Sequence, residues 1–363
     1  RSTCWTVILQ CIFNLGAVLH PDEVLPPESR IQSPGSMTSL LSSFSTRHDI
    51  LSLQALLAVQ VYLVATMSLR LASTFGGCVL RSMLHAGLHR CPFRYPQLSS
   101  HDRDLRKRIF WCAYAIDRYL SQALGLPLGI QDSDIDVCLP AVPEAHSPRR
   151  GKDQNTNPVT PKTPIAETDH GRGREENNNR GAGPYQPSQS TNTAGQASQT
   201  PDQYNRESTL ASYVDSGTLT GRALELFHKS ILVRTVPRSS VLFLVSDVHK
   251  WWNNLPIDLQ GKRIGPGKEG ASSDDSPFDF GPFFTVLYQH LILIIHRPSL
   301  SLDSSTAEFC SGLQTCIGAA RAIFAALKMQ MDSQQALFWP GFLSAAWMSG
   351  LVLAFACQLK QYP

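Results

Sequence analysis

The chain has 363 residues, of which 42% are hydrophobic and 17% charged, a composition typical of a folded and rather apolar protein with one or two domains. Its formal net charge of +3 is too small to indicate nucleic-acid binding by the surface as a whole, so DNA contact would need a compact basic module. Nine cysteines lie without Cys-x-x-Cys spacing, which favours a reducing compartment and thiols that act as small buried groups.

The apolar pattern is helical almost everywhere and lacks the alternation of strands, which predicts an all-α fold. Near Glu144 the composition changes to Asn, Gln, Ser, Thr, Pro and Gly, and we expect a disordered, low-complexity insert over 144–206 because such residues bury too little surface to offset their conformational entropy. The sequence therefore predicts one large, bundle-like helical domain in two blocks, 1–143 and 207–363. The predicted helices cover residues 3–19, 50–71, 73–89, 102–124, 216–234, 238–254, 283–296, 308–330 and 340–359.

The first predicted helix begins almost at the first residue. The sequence opens at Arg1 without a methionine and continues directly into CWTVILQCIFNLGAVL, so we expect further sequence upstream. This run has no basic leader and no small-residue cleavage site, which argues against a signal peptide. Six residues separate Cys4 from Cys11, but no second ligand pair accompanies them, so they do not indicate a zinc site.

Two stretches, 50–69 and 336–357, are uncharged over the length that a bilayer span needs. The first contains Ser52 and Gln60, polar residues that suit a buried helix. The second contains Pro340 and several small residues and lacks a clear basic flank. We interpret both as core helices and expect no membrane contact, with an integral membrane protein anchored by 336–357 as the alternative.

His85 and His89 are four residues apart, with Cys91 close by, and could share one face of a helix. A zinc protease would need a glutamate directly after the first histidine, and this chain has Ala86 there. We interpret both histidines as packed or surface residues.

The helix predicted over 102–124 has one apolar stripe, which indicates a face packed on a core. Phe110 and Trp111 widen the apolar surface beyond this stripe, so we expect packing on more than one side. Burial of either ring is worth several times the ~0.2–0.5 kcal/mol of a surface ion pair, so packing rather than charge should fix this helix. The stripe consists of Leu105, Ile109, Cys112, Ile116 and Leu120.

Residues 103–108 are rich in arginine and lysine and could form a nucleic-acid face. A DNA-reading helix needs side chains free of aromatic packing, whereas Ile-Phe-Trp follows this cluster at once. We therefore predict an ion-paired helix start, in which Asp102 pairs with Arg106 and Asp104 with Arg108.

The stretch DSDIDV, residues 132–137, places aspartates at alternate positions like the start of a calcium loop. That loop needs Gly at its sixth position and Glu at its twelfth, where this chain has Val137 and Pro143. We predict a solvated turn after which 135–139 pack along the bundle. The alternative is a helical metal-dependent enzyme that uses the acids of 132–136.

Residues 106–140 resemble the most characteristic segment of the middle homology region in fungal zinc-cluster transcription factors. The family pattern Arg-Arg-Arg-Leu-Phe-Trp…Tyr…Asp-Arg, Leu-Gly-Arg-Pro and Asp-x-Asp-Ile-Asp-Val-x-Leu-Pro is matched nearly throughout, with Leu126 in place of the usual Arg. WNNLP (252–256) and LYQHLILIIHRPSL (287–300) are similar to later family elements. The matching residues, to which the resemblance assigns a structural role, are Arg108, Phe110, Trp111, Tyr114, Asp117, Arg118, Gly125, Pro127, Asp134, Asp136 and Pro140.

The resemblance implies the regulatory middle region of a nuclear, sequence-specific RNA polymerase II transcription factor without enzymatic activity. In that family a module of six cysteines holds two zinc ions and reads DNA; here it would lie before Arg1, and this chain itself would hold no cofactor. The resemblance implies DNA as a partner through that module, together with the transcription machinery or co-regulator proteins, a homodimer and a small-molecule effector. A paralogue that lacks the zinc module and acts only through protein partners is a further alternative.

Overall fold

The computed structural model describes residues 2–19, 24–44, 46–142, 144, 146, 201–228, 236–260, 279–333 and 339–360. Within these ranges the chain forms ten α-helices, joined by 3₁₀ turns and loops, and no strand, so the all-α prediction is confirmed. The helices are α1 (Ser2–Leu19), α2 (Thr38–Phe44), α3 (Ile50–Ala65), α4 (Leu69–His85), α5 (Ser100–Leu124), α6 (Pro201–His228), α7 (Arg238–Asn254), α8 (Gly281–His296), α9 (Ala307–Asp332) and α10 (Gly341–Gln358).

Some predicted helix bounds are wrong. Helix α6 begins at Pro201 rather than at residue 216, so it includes the last six positions assigned to the predicted insert. Most of that insert lies outside the described residues. The break between α3 and α4 comes at 66–68 rather than at residue 72, because Met67 adopts a left-handed conformation with φ of 59°.

Helices α1, α3, α4 and α5 enclose the first hydrophobic core. The side chain of Asp49 accepts the backbone N–H of Ser52 and thereby caps the N-terminus of α3. Each helix contributes side chains that are almost wholly buried, among them Cys11, Leu56, Phe75, Phe110 and Tyr114. Val214, on α6, belongs to the same core, so the core crosses the predicted insert.

Helices α6 to α10 enclose a second hydrophobic core. Helix α8 packs against α9, and α9 packs against α10. The indole N–H of Trp251 on α7 donates to the carbonyl of Ser212 on α6, 3.1 Å away, and thereby links α7 to α6. The most buried side chains of the second core include Val248, Phe284, Leu293, Ile323 and Ala345.

Trp339 packs against both cores. Its ring centroid lies 4.6 Å from that of Tyr119 on α5 and 5.7 Å from that of Tyr213 on α6. Helix α5 also packs along α6. The two predicted helical blocks are therefore in extensive contact through α5, α6 and this tryptophan.

Two helices among the described residues, α9 and α10, are long and apolar enough to cross a bilayer. Core helices of soluble proteins pass the same test, and α10 buries Phe342, Ala345 and Val352. On its other side, Leu343, Trp347 and Leu351 are exposed at intervals of four residues. Helix α10 therefore has one face in the core and one exposed apolar face.

Candidate functional site

The aromatic residues of α5 are internal. Ser99 caps the helix, since its hydroxyl accepts the backbone N–H of Asp102 at 3.1 Å. Phe110, Trp111 and Tyr114 are 0%, 5% and 1% exposed, and their rings meet edge to face in succession. The indole N–H of Trp111 donates to the carbonyl of Cys138 at 2.9 Å, which ties α5 to the segment that follows it.

Arg118 is the centre of a buried polar network, with 1% of the residue exposed. Its guanidinium donates to Asp117 Oδ2 at 2.9 Å, to the carbonyl of Ile130 at 2.9 Å and to Asp132 Oδ1 at 2.7 Å. The guanidinium carbon also lies 4.1 Å from the centroid of the Tyr114 ring. Arg118 therefore fastens the 130–132 loop onto α5.

The charges in this network depend on one another. Burial opposes the charge of Arg118, but Tyr114, Asp132 and Asp117 outweigh it, so the pKa of Arg118 is raised. Burial raises the pKa of Asp117, although Arg118 and the N–H of Gly129 act in the opposite direction. Burial also raises the pKa of Tyr114 to about 12, and its hydroxyl donates to Asp132 Oδ1 at 2.7 Å. The network is thus a charged, buried tie in which Nη1 and Nη2 of Arg118 are hydrogen-bonded and Nε is not.

Two glycines of α6 allow it to approach Arg118 closely. A Cβ at Gly217 would lie 3.5 Å from Arg118 Cγ and 3.5 Å from Tyr114 Cε1. A Cβ at Gly221 would lie 3.0 Å from Arg118 Nε, tighter than ordinary contact. The hydroxyl groups of Tyr114 and Thr218 are 3.1 Å apart, so α6 also joins the network by a hydrogen bond. The site therefore includes both sides of the predicted insert.

Gly125 and Pro127 form the exit from α5. Gly125 is left-handed, with φ of 66°, and its N–H caps the carbonyl of Ser121, as expected for glycine at the end of a helix. The hydroxyl of Ser121 donates to the carbonyl of Pro127 at 3.2 Å. This turn directs the chain back along α5 toward Ile130.

The segment 132–140 packs as its sequence predicts. Asp134 is exposed in a 3₁₀ turn, whereas Val137 and Pro140 are buried. Asp136 accepts both Nε and Nη2 of Arg94, at 2.7 and 2.9 Å, and these hydrogen bonds lower the pKa of Asp136. Asp132 accepts a hydrogen bond from Arg118, as described above. Two of the three acids proposed for a metal-dependent enzyme therefore form ion pairs with arginines.

The basic start of α5 binds mainly to its own chain. Arg103 donates to the carbonyl of Pro96 at 3.1 Å, and Arg106 donates to the carbonyl of Ala86 at 2.8 Å. Lys107 forms an ion pair with Glu144. The predicted pair of Asp102 with Arg106 is wrong, because the carboxylate of Asp102 instead accepts the hydroxyl of its helix cap at 2.7 Å.

Arg108 differs from the other arginines of the motif because it is exposed. Burial raises the pKa of Asp104, and the charge of nearby Arg108 acts in the opposite direction. Of the predicted motif residues, Phe110, Trp111, Tyr114, Asp117 and Arg118 come together in or around one network, whereas Arg108 and Asp134 lie apart from it.

Sequence reasoning missed several members of this site. Arg94 lies 42 residues before Asp136, and no local pattern connects them. The Gly-x-x-x-Gly spacing of Gly217 and Gly221 was a visible sign of close helix packing, but its partner helix could not be read from the sequence.

The cysteines near the start of the chain do not suit a zinc cluster. Cys4 and Cys11 are buried on α1, at 2% and 1% exposure, and Cys4 Sγ lies 3.8 Å from Ser52 Oγ. Burial raises the pKa of Cys11 to about 12, so its thiol stays protonated. The two residues are packing groups of the first core.

A small cavity lies where α5, α6, α8 and α10 meet. Its volume is about 40 Å³, whereas pockets for drug-sized ligands measure roughly 300–1,000 Å³. Gln122 Nε2 lies 3.2 Å from His290 Nε2 at its wall, and burial lowers the pKa of His290 to about 4. As it stands, the cavity is too small for a metabolite.

Comparison with known proteins gives one consistent family. The model of the fungal specific transcription factor domain matches residues 3–195. Probable transcription factor FUP6 of Fusarium proliferatum is 44% identical over 364 residues, which cover 98% of this chain and 50% of that protein. Activator of stress genes 1 of Saccharomyces cerevisiae is 34% identical over 100 residues, or 28% of this chain and 10% of that protein.

A third relative, Activator of stress genes protein 1 of Candida albicans, is 33% identical over 104 residues, or 28% of this chain and 10% of that protein. This chain therefore spans about half the length of FUP6 and aligns with a smaller part of the other two. No solved structure matches it significantly.

Proposed function

Because this chain belongs to the family of fungal specific transcription factor domains, we propose that it is the regulatory region of a fungal transcription factor, built as one domain from both helical blocks. The observation that supports a single domain is the Arg118 network. Tyr114 and Arg118, both motif residues of the first block, pack against Gly217 and Gly221 of the second. The matching family is one of transcription factors rather than of enzymes. In agreement with this, Asp132 and Asp136, which a metal-dependent enzyme would use as ligands, form ion pairs with arginines of this chain.

We assign DNA reading to a zinc-cluster module outside this chain, and the site of action to the nucleus. Three cations at the start of α5, Arg103, Arg106 and Lys107, already bind oxygens of this chain. The aromatic rings that follow them are buried, so this helix could not enter a major groove without unfolding its core.

We propose that the direct partners of this chain are proteins, either co-regulators and the transcription machinery or a second copy. Helix α1 exposes Trp5, Leu9 and Phe13 on one face, and α10 exposes Trp347 beside two leucines. Aromatic residues are enriched at protein interfaces, where they contribute much of the binding energy. The cavity beside His290 would have to widen before it could hold a small-molecule effector. Recovery of the chain without detergent would support action away from a membrane.

A reporter assay tests this function. The chain is fused to an unrelated DNA-binding module in a fungal host, and transcription from the matching promoter is compared with that of the module alone. We expect the fusion to change the output and the Arg118→Ala variant to lose that effect, whereas Arg108→Ala, altered on the same helix but exposed, keeps it. An expressed, promoter-bound fusion without any effect on transcription would contradict the proposal.

A further inference from the structure

Metal-ligating side chains gather near the start of the predicted insert. Cys91 follows α4, Cys138 directly precedes Leu139, and His146 lies at the start of the predicted insert, as the last residue described before 201. The ligand atoms of these three residues all lie within 4.8 Å of one another. We propose that Cys91, Cys138 and His146 bind a single zinc ion, a site separate from any zinc-cluster module and independent of the regulatory function proposed above.

The spacing of these atoms approaches that of a tetrahedral site. Zinc lies about 2.3 Å from cysteine sulfur and about 2.0–2.1 Å from histidine nitrogen, which places neighbouring ligand atoms roughly 3.5–3.8 Å apart. Cys138 Sγ is 3.8 Å from His146 Nδ1. Cys91 Sγ is also 3.7 Å from Glu144 Oε2, but the Glu144 carboxylate lies outside the group of three ligands that come within 4.8 Å of one another. A zinc ion held by these three residues would keep a fourth coordination position open.

The surroundings of His146 give an independent reason to expect a metal. Histidines that bind metals usually donate their second ring nitrogen to a carboxylate, which orients the ring and fixes its tautomer. His146 Nε2 lies 3.3 Å from Asp136 Oδ1, while Nδ1 faces the sulfur of Cys138. Asp136 is itself held by Arg94 and by the backbone N–H of Cys91, 3.4 Å away. The histidine is therefore oriented as a ligand by a carboxylate that is fixed in turn.

The donor set selects the metal. Two sulfurs and an imidazole favour zinc over the hard cations magnesium and calcium, which prefer oxygen. Cys91 is buried, whereas Cys138 and His146 are partly exposed, so an ion can reach the site from solvent. Glu144 also pairs with Lys107, which balances part of the negative charge that two thiolates and a carboxylate would bring. A bound ion would anchor the residues at 144–146 to the first helical block.

The test uses the purified chain from zinc-supplemented cultures. Zinc content is measured after extensive dialysis, and the metal-free protein is titrated with Co²⁺, whose thiolate charge-transfer bands report cysteine ligation. We expect stoichiometric zinc and these bands in the wild type and in Cys310→Ser, an exposed cysteine on α9, and neither in Cys91→Ser or Cys138→Ser. Asp136→Asn should weaken Co²⁺ binding by about 10–100-fold.

Cys91 is buried, so its replacement could unfold the chain, and His146→Ala serves as the second variant because that side chain is partly exposed. We expect His146→Ala to keep the helical circular dichroism of the wild type and to lose the metal. A wild-type chain that holds no zinc and gives no thiolate bands with Co²⁺ would overturn the proposal. Retention of full metal binding by both Cys138→Ser and His146→Ala, or a Cys91–Cys138 disulfide in place of the metal under reducing conditions, would also overturn it.

Discussion

Replacement of Arg118 with alanine would remove the side chain that joins α5, the 130–132 loop and α6. The guanidinium donates to three acceptors at 2.7–2.9 Å and lies over the Tyr114 ring. Its stem packs against Gly217 and Gly221. Removing one partner of a buried ion pair costs roughly 3–5 kcal/mol, because the other charge is left without compensation.

The two carboxylates contribute unequally to this loss. The side chain of Asp132 is 41% exposed and can be rehydrated, so it contributes little. The side chain of Asp117 is 14% exposed, and its pKa is already raised by burial while the arginine is present. Without Arg118, Asp117 would have to take up a proton or stay charged in a poorly hydrated place. Adding the empty volume left beside α6, we expect a loss of about 3–4 kcal/mol in the free energy of unfolding.

Urea-induced unfolding, followed by circular dichroism and tryptophan fluorescence, measures this loss. Arg108→Ala is the matched control, because Arg108 belongs to the same motif and the same helix but is exposed, and it should change stability by no more than ~0.5 kcal/mol. Arg118→Lys should fall between the two, because an ammonium group cannot reach three acceptors as the planar guanidinium does. Equal stability of Arg118→Ala and the wild type, or equal losses in Arg118→Ala and Arg108→Ala, would refute this reasoning.

Three further predictions concern packing and pH. Trp111→Ala should lower the free energy of unfolding by about 3–5 kcal/mol. Trp111→Phe should lower it by only about 1 kcal/mol, through loss of the hydrogen bond to the carbonyl of Cys138. An unchanged thermal melt of the alanine variant would contradict a core role. Gly221→Ala should destabilise the chain in urea, whereas Gly318→Ala, on α9 with open space around it, should stabilise it by about 0.5–1 kcal/mol; equal effects would exclude the close contact with Arg118. The pKa of His290 falls from 6.5 in the unfolded chain to about 4 in the folded chain, so the unfolded state binds more protons between these values. Stability should therefore be full above pH 6.5 and fall as the pH drops to 4, by up to about 3 kcal/mol, and urea titrations of His290→Asn should lack this part of the slope.

The helices of this protein could be predicted where apolar residues recur with helical spacing. The stripe of α5 and its end at Gly125 came directly from the sequence. The beginning of α6 did not, because PDQYNRES is as polar as the predicted insert and its helical state depends on the packing of later residues such as Val214. Helix α2 was missed for a similar reason, since its serines weaken any periodic signal.

The site was less predictable than the fold because its contacts join distant parts of the chain. The motif around Arg118 identified the residues but not their partners. The acceptor Asp132 is 14 residues away, and Thr218, which meets the hydroxyl of Tyr114, is 104 residues away. The cysteines at 91 and 138 lack the local Cys-x-x-Cys spacing by which sequence analysis finds zinc ligands. Such pairings depend on how the helices cross, and local periodicity does not determine that.

Native-state hydrogen exchange of α5 and α6 tests most directly whether the motif segment 106–140 joins the two helical blocks from inside the fold. We predict that the amides of 109–120 and of 212–221 are among the slowest to exchange, share one free energy of opening, and lose protection together in Arg118→Ala. If α6 opened independently of α5, or if the 109–120 amides exchanged as fast as those of the exposed turn at Asp134, the account would be contradicted.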